Sequence, residues 1–298
     1  MAAAFLALDA CTFFPDHYLV HPDRPAAGIV TWSEVVDVEP LRVHLEWARP
    51  SGAGPYPTVL VHPEGGKTAD DMPGIVWDLA ERGYVGVAAD YERLIHGVYQ
   101  RNVFAWRSDA DVTAALDIVV RSPHVDPRRV GVLGFSQGGV FSLLIAAHAP
   151  ERVQAVVAYY PVTDFPRWLG AQRDGFFERG AFAVVRWFFR RQSGAESDAR
   201  FEAMLVAASP YYVADDLDAP VLLVHGDHDT IAPLEESQRM AARLAELGKS
   251  VELLTVPGGV HIFNCRQKDL AVAAWEATMR WLDRWLRGYT VTSGVKPP

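Results

Sequence analysis

Along the middle of the chain, short continuous apolar runs alternate with longer stretches whose apolar residues recur every three or four positions. The runs are TVLVHP (58–63), YVGVAADY (84–91), RVGVLGF (129–135), VQAVVAYY (153–160), PVLLVHG (220–226) and SVELLTVP (250–257). They are short and rich in β-branched residues, the pattern of strands covered on both faces. Between most of them lie amphipathic segments of helical length, such as DMPGIVWDLAERG, SDADVTAALDIVVRS and PLEESQRMAARLAELGK. Strand, helix, strand repeated in this way predicts an α/β fold: a mostly parallel central sheet with right-handed crossovers and helices on both faces.

Upstream, IVTWSEVVDVEPLRVHLEWARP alternates at period two about Glu39–Pro40, which predicts an antiparallel hairpin at one edge of the sheet. Near the other end, Trp275, Met279, Leu282 and Leu286 recur at helical spacing and predict a long helix covering the sheet. One crossover is too long for its role. From Asp164 to about Ala208 the chain runs through FPRWLGAQRDGFFERGAFAVVRWFFRRQ, dense in aromatic and basic residues. Such an insertion is expected to be a lid or a binding wall, with an ordinary pair of packed helices as the alternative. The expected organisation is therefore one domain, residues 1–298, with 164–208 as a lid or cap.

Composition narrows the function. Half of the 298 residues are hydrophobic, enough for a large core, and the formal net charge of −9 disfavours a surface that tracks phosphates. Nucleic acid is not an expected partner. The opening MAAAFLALDA lacks a basic region and meets Asp9 early, and no apolar run reaches spanning length, so neither a secretion signal nor a membrane partner is expected. Two cysteines, Cys11 and Cys265, make neither a disulfide framework nor a metal cluster, and a cytoplasmic location is the expectation. The histidines lack ligand spacing with carboxylates or cysteines, and no phosphate loop or dinucleotide fingerprint is present. No metal and no cofactor is expected; the sequence leaves a homodimer open.

The chemistry concentrates in GFSQGG, where Ser136 sits between Gly134 and Gly138 with a buried strand before it and a helix from about Gln137 through Leu144 after it. A core strand needs no such glycines. Small residues at these positions permit a strained turn that lifts a serine hydroxyl above the sheet edge, at a helix N-terminus whose free N–H groups favour a developing anion. A serine hydroxyl is a weak nucleophile until a base takes its proton, so a histidine and an acid are required downstream. The last strand ends in VPGGVHIFN, which offers His261; the strand before it ends in HGDHDTIAP, which offers Asp227 and Asp229. The residues alone leave that pair open.

Through GFSQGG, HGDHDTIAP and GGVHIF, the chain from about Thr58 to Leu286 resembles the α/β-hydrolase superfamily, and more narrowly its dienelactone hydrolase-like and prolyl oligopeptidase-like esterases. The resemblance implies the α/β-hydrolase fold and a catalytic triad of Ser136, Asp229 and His261, the acid being the second aspartate of H-G-x-x-D, with Asp227 a turn residue. It also implies an oxyanion hole from the N–H of Gln137 and one from HPEGGKT, supplied by Gly65 or Glu64. Because a carboxylate would repel the anion, the Glu64 side chain is expected to turn away, toward an arginine or a backbone donor. Dienelactone hydrolases carry cysteine where Ser136 stands, and 57 residues precede Thr58 where prolyl oligopeptidases carry a β-propeller that gates peptides. The shared step, hydrolysis of a small-molecule carboxylic ester through an acyl-enzyme, is the expected activity, with amide, peptide or lactone hydrolysis and non-catalytic ligand binding as alternatives. Tyr91, Trp106, Tyr160, Trp168 and Phe263 follow strand ends or lie in the insertion, and are candidates to line an apolar acyl pocket.

Overall fold

The computed structural model describes residues 18, 20–101, 108–170 and 176–288. The hairpin forms as its alternation predicts: β1 (Ile29–Val38) and β2 (Leu41–Pro50) pair antiparallel around Glu39–Pro40. On β2, Leu41, Val43, Leu45 and Trp47 are buried, while β1 is mostly open to solvent as the edge strand. The apolar runs become β3 (Tyr56–His62), β4 (Val85–Ile95), β6 (Val125–Phe135), β7 (Ala155–Tyr159), β8 (Val221–Gly226) and β9 (Val251–Val256), with β5 (Val98–Arg101) folding back on β4. Among the described residues these make one mixed nine-stranded sheet in the order β1-β2-β4-β3-β6-β7-β8-β9. Every pairing from β4 to β9 along that path is parallel, so the carboxyl ends of β3, β6, β8 and β9 lie along one edge.

Helices cover both faces. Against one pack α2 (Asp109–Val119), α3 (Gln137–His148) and α7 (Glu235–Glu246), through Val112, Leu116, Leu143, Met240 and Leu244. Against the other pack α1 (Pro73–Glu81) and, after the short α8 (Phe263–Arg266), α9 (Lys268–Arg287), the last through Trp275, Met279, Leu282 and Leu286. Each large aliphatic side chain fully buried in this way contributes about 1.5–3 kcal/mol, so the two apolar clusters dominate what holds the layers together. Local signals set the helix ends: the Ser108 hydroxyl accepts the Asp111 N–H at the start of α2, and Gly288, at φ 71°, ends α9. Helix α3 runs four residues beyond Leu144 because the sequence stays apolar through Ile145, Ala146 and Ala147, all buried.

The long crossover contains α4 (Phe165–Gly170), α5 (Phe176–Ser193) and α6 (Asp198–Ala207). It has its own apolar cluster, in which Trp168, Leu169, Val185, Phe189, Phe201 and Leu205 gather with Val162 and Ala232 from the body of the fold. Its aromatic residues are thus largely used to pack the helices together. No helix among the described residues is long and apolar enough to cross a membrane.

Candidate active site

The turn between β6 and α3 places Ser136 at φ 50°, ψ −112°, a region that costs a non-glycine residue on the order of 1–3 kcal/mol. The flanking glycines are required by close approach. A Cβ on Gly134 would sit 1.9 Å from the carbonyl oxygen of Gly138, and one on Gly138 would sit 2.1 Å from that of His62. The same contact presses the 62–63 backbone, at the end of β3, against the first turn of α3.

Above this edge the structure brings three side chains together. Ser136 Oγ lies 3.1 Å from His261 Nε2, and His261 Nδ1 lies 2.6 Å from Asp229 Oδ2. A carboxylate can only accept, so Nδ1 carries the proton and donates it to Asp229, leaving Nε2 to accept from the serine hydroxyl. Asp229 is itself fixed: its Oδ1 accepts the N–H groups of Ile231 and Ala232, both at 2.9 Å. Burial would raise its pKa, but the nearby His225 ring, with Nε2 3.5 Å from Oδ2, and the hydrogen bond from His261 outweigh that and hold it down at about 2. It is therefore an anion at neutral pH. The other aspartate, Asp227, instead accepts the Gly258 N–H at 2.7 Å in the adjoining turn, and His228 is exposed.

The loop after β3 lies beside this group. Gly65 faces the Gln137 side chain, whose Oε1 would be 3.2 Å from a Cβ placed there. Gln137 opens α3 directly after Ser136, and its side chain is what brings this loop and the nucleophile's helix into contact. The Glu64 carboxylate is buried and accepts the phenol of Tyr18. This tyrosine partner, 46 positions upstream, leaves no local signal in the sequence.

The aromatic candidates divide. Tyr91 borders a cavity of about 220 Å³ that extends from Gln137 and Phe141 toward Lys67 and Asp90. Tyr160 and Phe263 are fully buried: the Tyr160 ring packs edge-on against His261 with centroids 4.7 Å apart, and its hydroxyl donates to Asn264 Oδ1 at 2.5 Å. Tyr160 thus packs directly on the imidazole, and Phe263 packs on Tyr160. Trp168 is buried in the insertion's apolar cluster, its indole N–H donating to the Ile231 carbonyl at 2.8 Å. Trp106 lies outside the described residues. A larger groove of about 700 Å³, not foreseen from sequence, starts at Gln137 and Phe141 and follows α3 to His148, walled by Phe165, Met204 and Ala207. Among the described residues no three His, Cys, Asp or Glu side chains are placed to hold a metal ion.

A strained serine between strand and helix, a histidine after the last strand and an acid after the strand before it, over a mostly parallel sheet, define an α/β-hydrolase. The sequence signature of the prolyl oligopeptidase family matches residues 71–288, and the chain belongs to that family of serine hydrolases. It is 25% identical over 307 residues to dipeptidyl-peptidase 5 of Porphyromonas gingivalis, covering 91% of this chain and 42% of that one. It is 29% identical over 258 residues to a Methylorubrum extorquens protein provisionally named carboxymethylenebutenolidase, covering 82% and 76%. Among solved structures, the acylaminoacyl peptidase of Pyrococcus horikoshii superposes with a TM-score of 0.71 at 19% identity, over 90% of this chain and 43% of that one. The chain thus spans less than half the length of both peptidases.

Proposed function

We propose that the protein hydrolyses carboxylic esters of small or medium acyl groups through an acyl-enzyme on Ser136. The observation that carries this reading is the continuous path from Ser136 Oγ through the His261 ring to the ionised Asp229 carboxylate, at 3.1 and 2.6 Å. As Oγ attacks the ester carbonyl carbon, its proton passes to His261 Nε2, and Asp229 stabilises the imidazolium and keeps its tautomer. The carbonyl oxygen becomes an anion that the N–H of Gln137, with that of Gly65 or Glu64, would stabilise; two such donors matter because removing one typically costs about 10²–10³ in rate. The imidazolium then protonates the departing alkoxide, leaving an acyl ester on Ser136. Water, deprotonated by the same nitrogen, reverses the sequence and releases the acid.

The groove along α3 supplies room for the acyl chain. From Gln137 to His148 the helix rises about 16 Å, and Val140, Phe141 and Leu144 form an apolar floor beginning four residues after the nucleophile. On this reading the insertion, residues 164–208, acts as a cap whose α6 closes the groove. Ala207→Trp, which fills the groove from that wall, is expected to lower kcat/KM for p-nitrophenyl octanoate about tenfold and to leave the acetate within about twofold. Equal losses on both esters would remove the groove from the account.

Peptide or amide hydrolysis is the second reading, favoured by the peptidase names among the relatives. The same acyl group presented as a p-nitrophenyl ester and as a p-nitroanilide decides between them. The ester is expected to react with the higher kcat/KM after correction for the uncatalysed rates, and a preference for the anilide would reverse the order.

A further inference from the structure

The acid's loop is held from two sides by residues that touch no reacting atom. The N–H groups of Ile231 and Ala232 both point to Asp229 Oδ1. The carbonyl groups of the same two residues are also taken: Ile231 O accepts the indole N–H of Trp168 at 2.8 Å, and Ala232 O accepts Nε2–H of the buried His225 at 2.7 Å. His225 is fixed in turn by Ser237 Oγ, 2.7 Å from its Nδ1, and its Nε2 lies 3.5 Å from Asp229 Oδ2. Residues 231–232 are therefore a strap, gripping the carboxylate with its amides and gripped through its carbonyls.

One of those grips belongs to the insertion. Trp168 lies on α4, and Ala232 of the strap joins the insertion's apolar cluster. The attachment is reinforced where the insertion begins, since the buried Glu236 carboxylate accepts the N–H groups of Thr163 and Asp164, both at 3.0 Å, and Arg167 reaches Glu236 at 3.2 Å. Any displacement of α4 would thus pull on the peptide group that orients Asp229.

We propose that Trp168 and His225 are positioning residues for Asp229, and that the insertion sets the orientation of His261 through the hydrogen bond from Trp168 to Ile231. This rests on the reading of Asp229 as the orienting acid. The physical warrant is that Oδ2 holds His261 only while Oδ1 is pinned by its two amides. A carboxylate freed to rotate lets the imidazole drift, and misplacement by about 1 Å can cost on the order of 10²-fold in rate.

Trp168→Phe keeps an aromatic ring in the cluster and deletes the N–H donor. On p-nitrophenyl acetate, too small to need the groove, it is expected to lower kcat about tenfold, with KM within about twofold and an altered kcat–pH profile. Phe182→Leu serves as the control: Phe182 packs edge-on against Trp168 at 5.1 Å, so its truncation loosens the same cluster while leaving the strap's hydrogen bonds in place. It is expected to leave kcat and the pH profile near wild type. The second readout needs no turnover: the Nδ1–H proton resonance of His261, far downfield in the wild type, is expected to shift or broaden in Trp168→Phe and to persist in Phe182→Leu. If Trp168→Phe leaves this resonance unchanged, or matches Phe182→Leu in kcat, the positioning role is wrong. If wild type shows the resonance and the variant loses it while neither turns over acetate, the positioning role stands and the ester reading fails.

Discussion

Ser136→Ala is expected to lower kcat/KM for p-nitrophenyl acetate by on the order of 10⁵-fold, while leaving the fold and its thermal midpoint close to wild type. The size follows from what the hydroxyl does. Without it no acyl-enzyme forms, and the His261 ring and the nearby N–H groups can act only on a bound ester attacked by water. Stability should change little or rise slightly, because alanine inherits the left-handed φ of 50° but brings no hydroxyl to satisfy. Residues that act as one unit are not additive, so Ser136→Ala combined with His261→Ala should be no slower than the slower single variant. Steady-state kinetics on the three variants, with circular dichroism to confirm folding, test this. Substantial turnover in Ser136→Ala would remove the serine from the chemistry.

The second large effect concerns stability. His62, at the end of β3, is completely buried against Tyr91, whose hydroxyl lies 2.8 Å from Nε2, and burial lowers its pKa from 6.5 to about 3. Between those values the unfolded chain binds a proton at this ring and the native protein does not. Stability is therefore fully present above about pH 6.5 and declines as pH falls toward 3. The difference between the two states amounts to roughly 5 kcal/mol at the acid extreme, and to about half of that near pH 4.5. His21, also lowered by burial, acts in the same direction. Thermal unfolding between pH 7.5 and 5.5, a range that stays above the midpoint of ordinary carboxylate titration, should show a fall in midpoint. His62→Gln, which retains a polar partner for Tyr91, should flatten much of it. Parallel pH curves for the two proteins would show that the ring protonates without unfolding.

Much of this architecture was legible in the sequence because burial leaves a compositional trace. The runs that became β3, β4, β6, β7, β8 and β9 are β-branched and short, and the spacing of Trp275, Met279, Leu282 and Leu286 could suit only one helical face. The GFSQGG turn was legible for a steric reason, since the tightest of these contacts, at Gly134 and Gly138, exclude any larger residue. What escaped depended on partners remote in sequence or on side-chain direction. The β4–β5 hairpin was missed although its turn carries a signal, His96–Gly97 with φ of 50° and 81°, the sign pattern of a tight hairpin turn. Tyr160, Phe263 and Trp168 sit in the right loops for a pocket, yet periodicity says nothing about which way a loop residue turns. Tyr160 takes a left-handed φ of 38° and packs edge-on against His261. The strap at 231–232 was invisible because its bonds are made by backbone groups.

The proposed hydrolysis depends above all on an activated hydroxyl at residue 136, and covalent capture tests that most directly. Incubation with a fluorophosphonate followed by intact-mass and peptide mass spectrometry is predicted to give a single adduct, carried by Ser136, that disappears in Ser136→Ala and forms far more slowly in His261→Ala. An unlabelled wild-type protein, or an adduct on a different side chain, would contradict it.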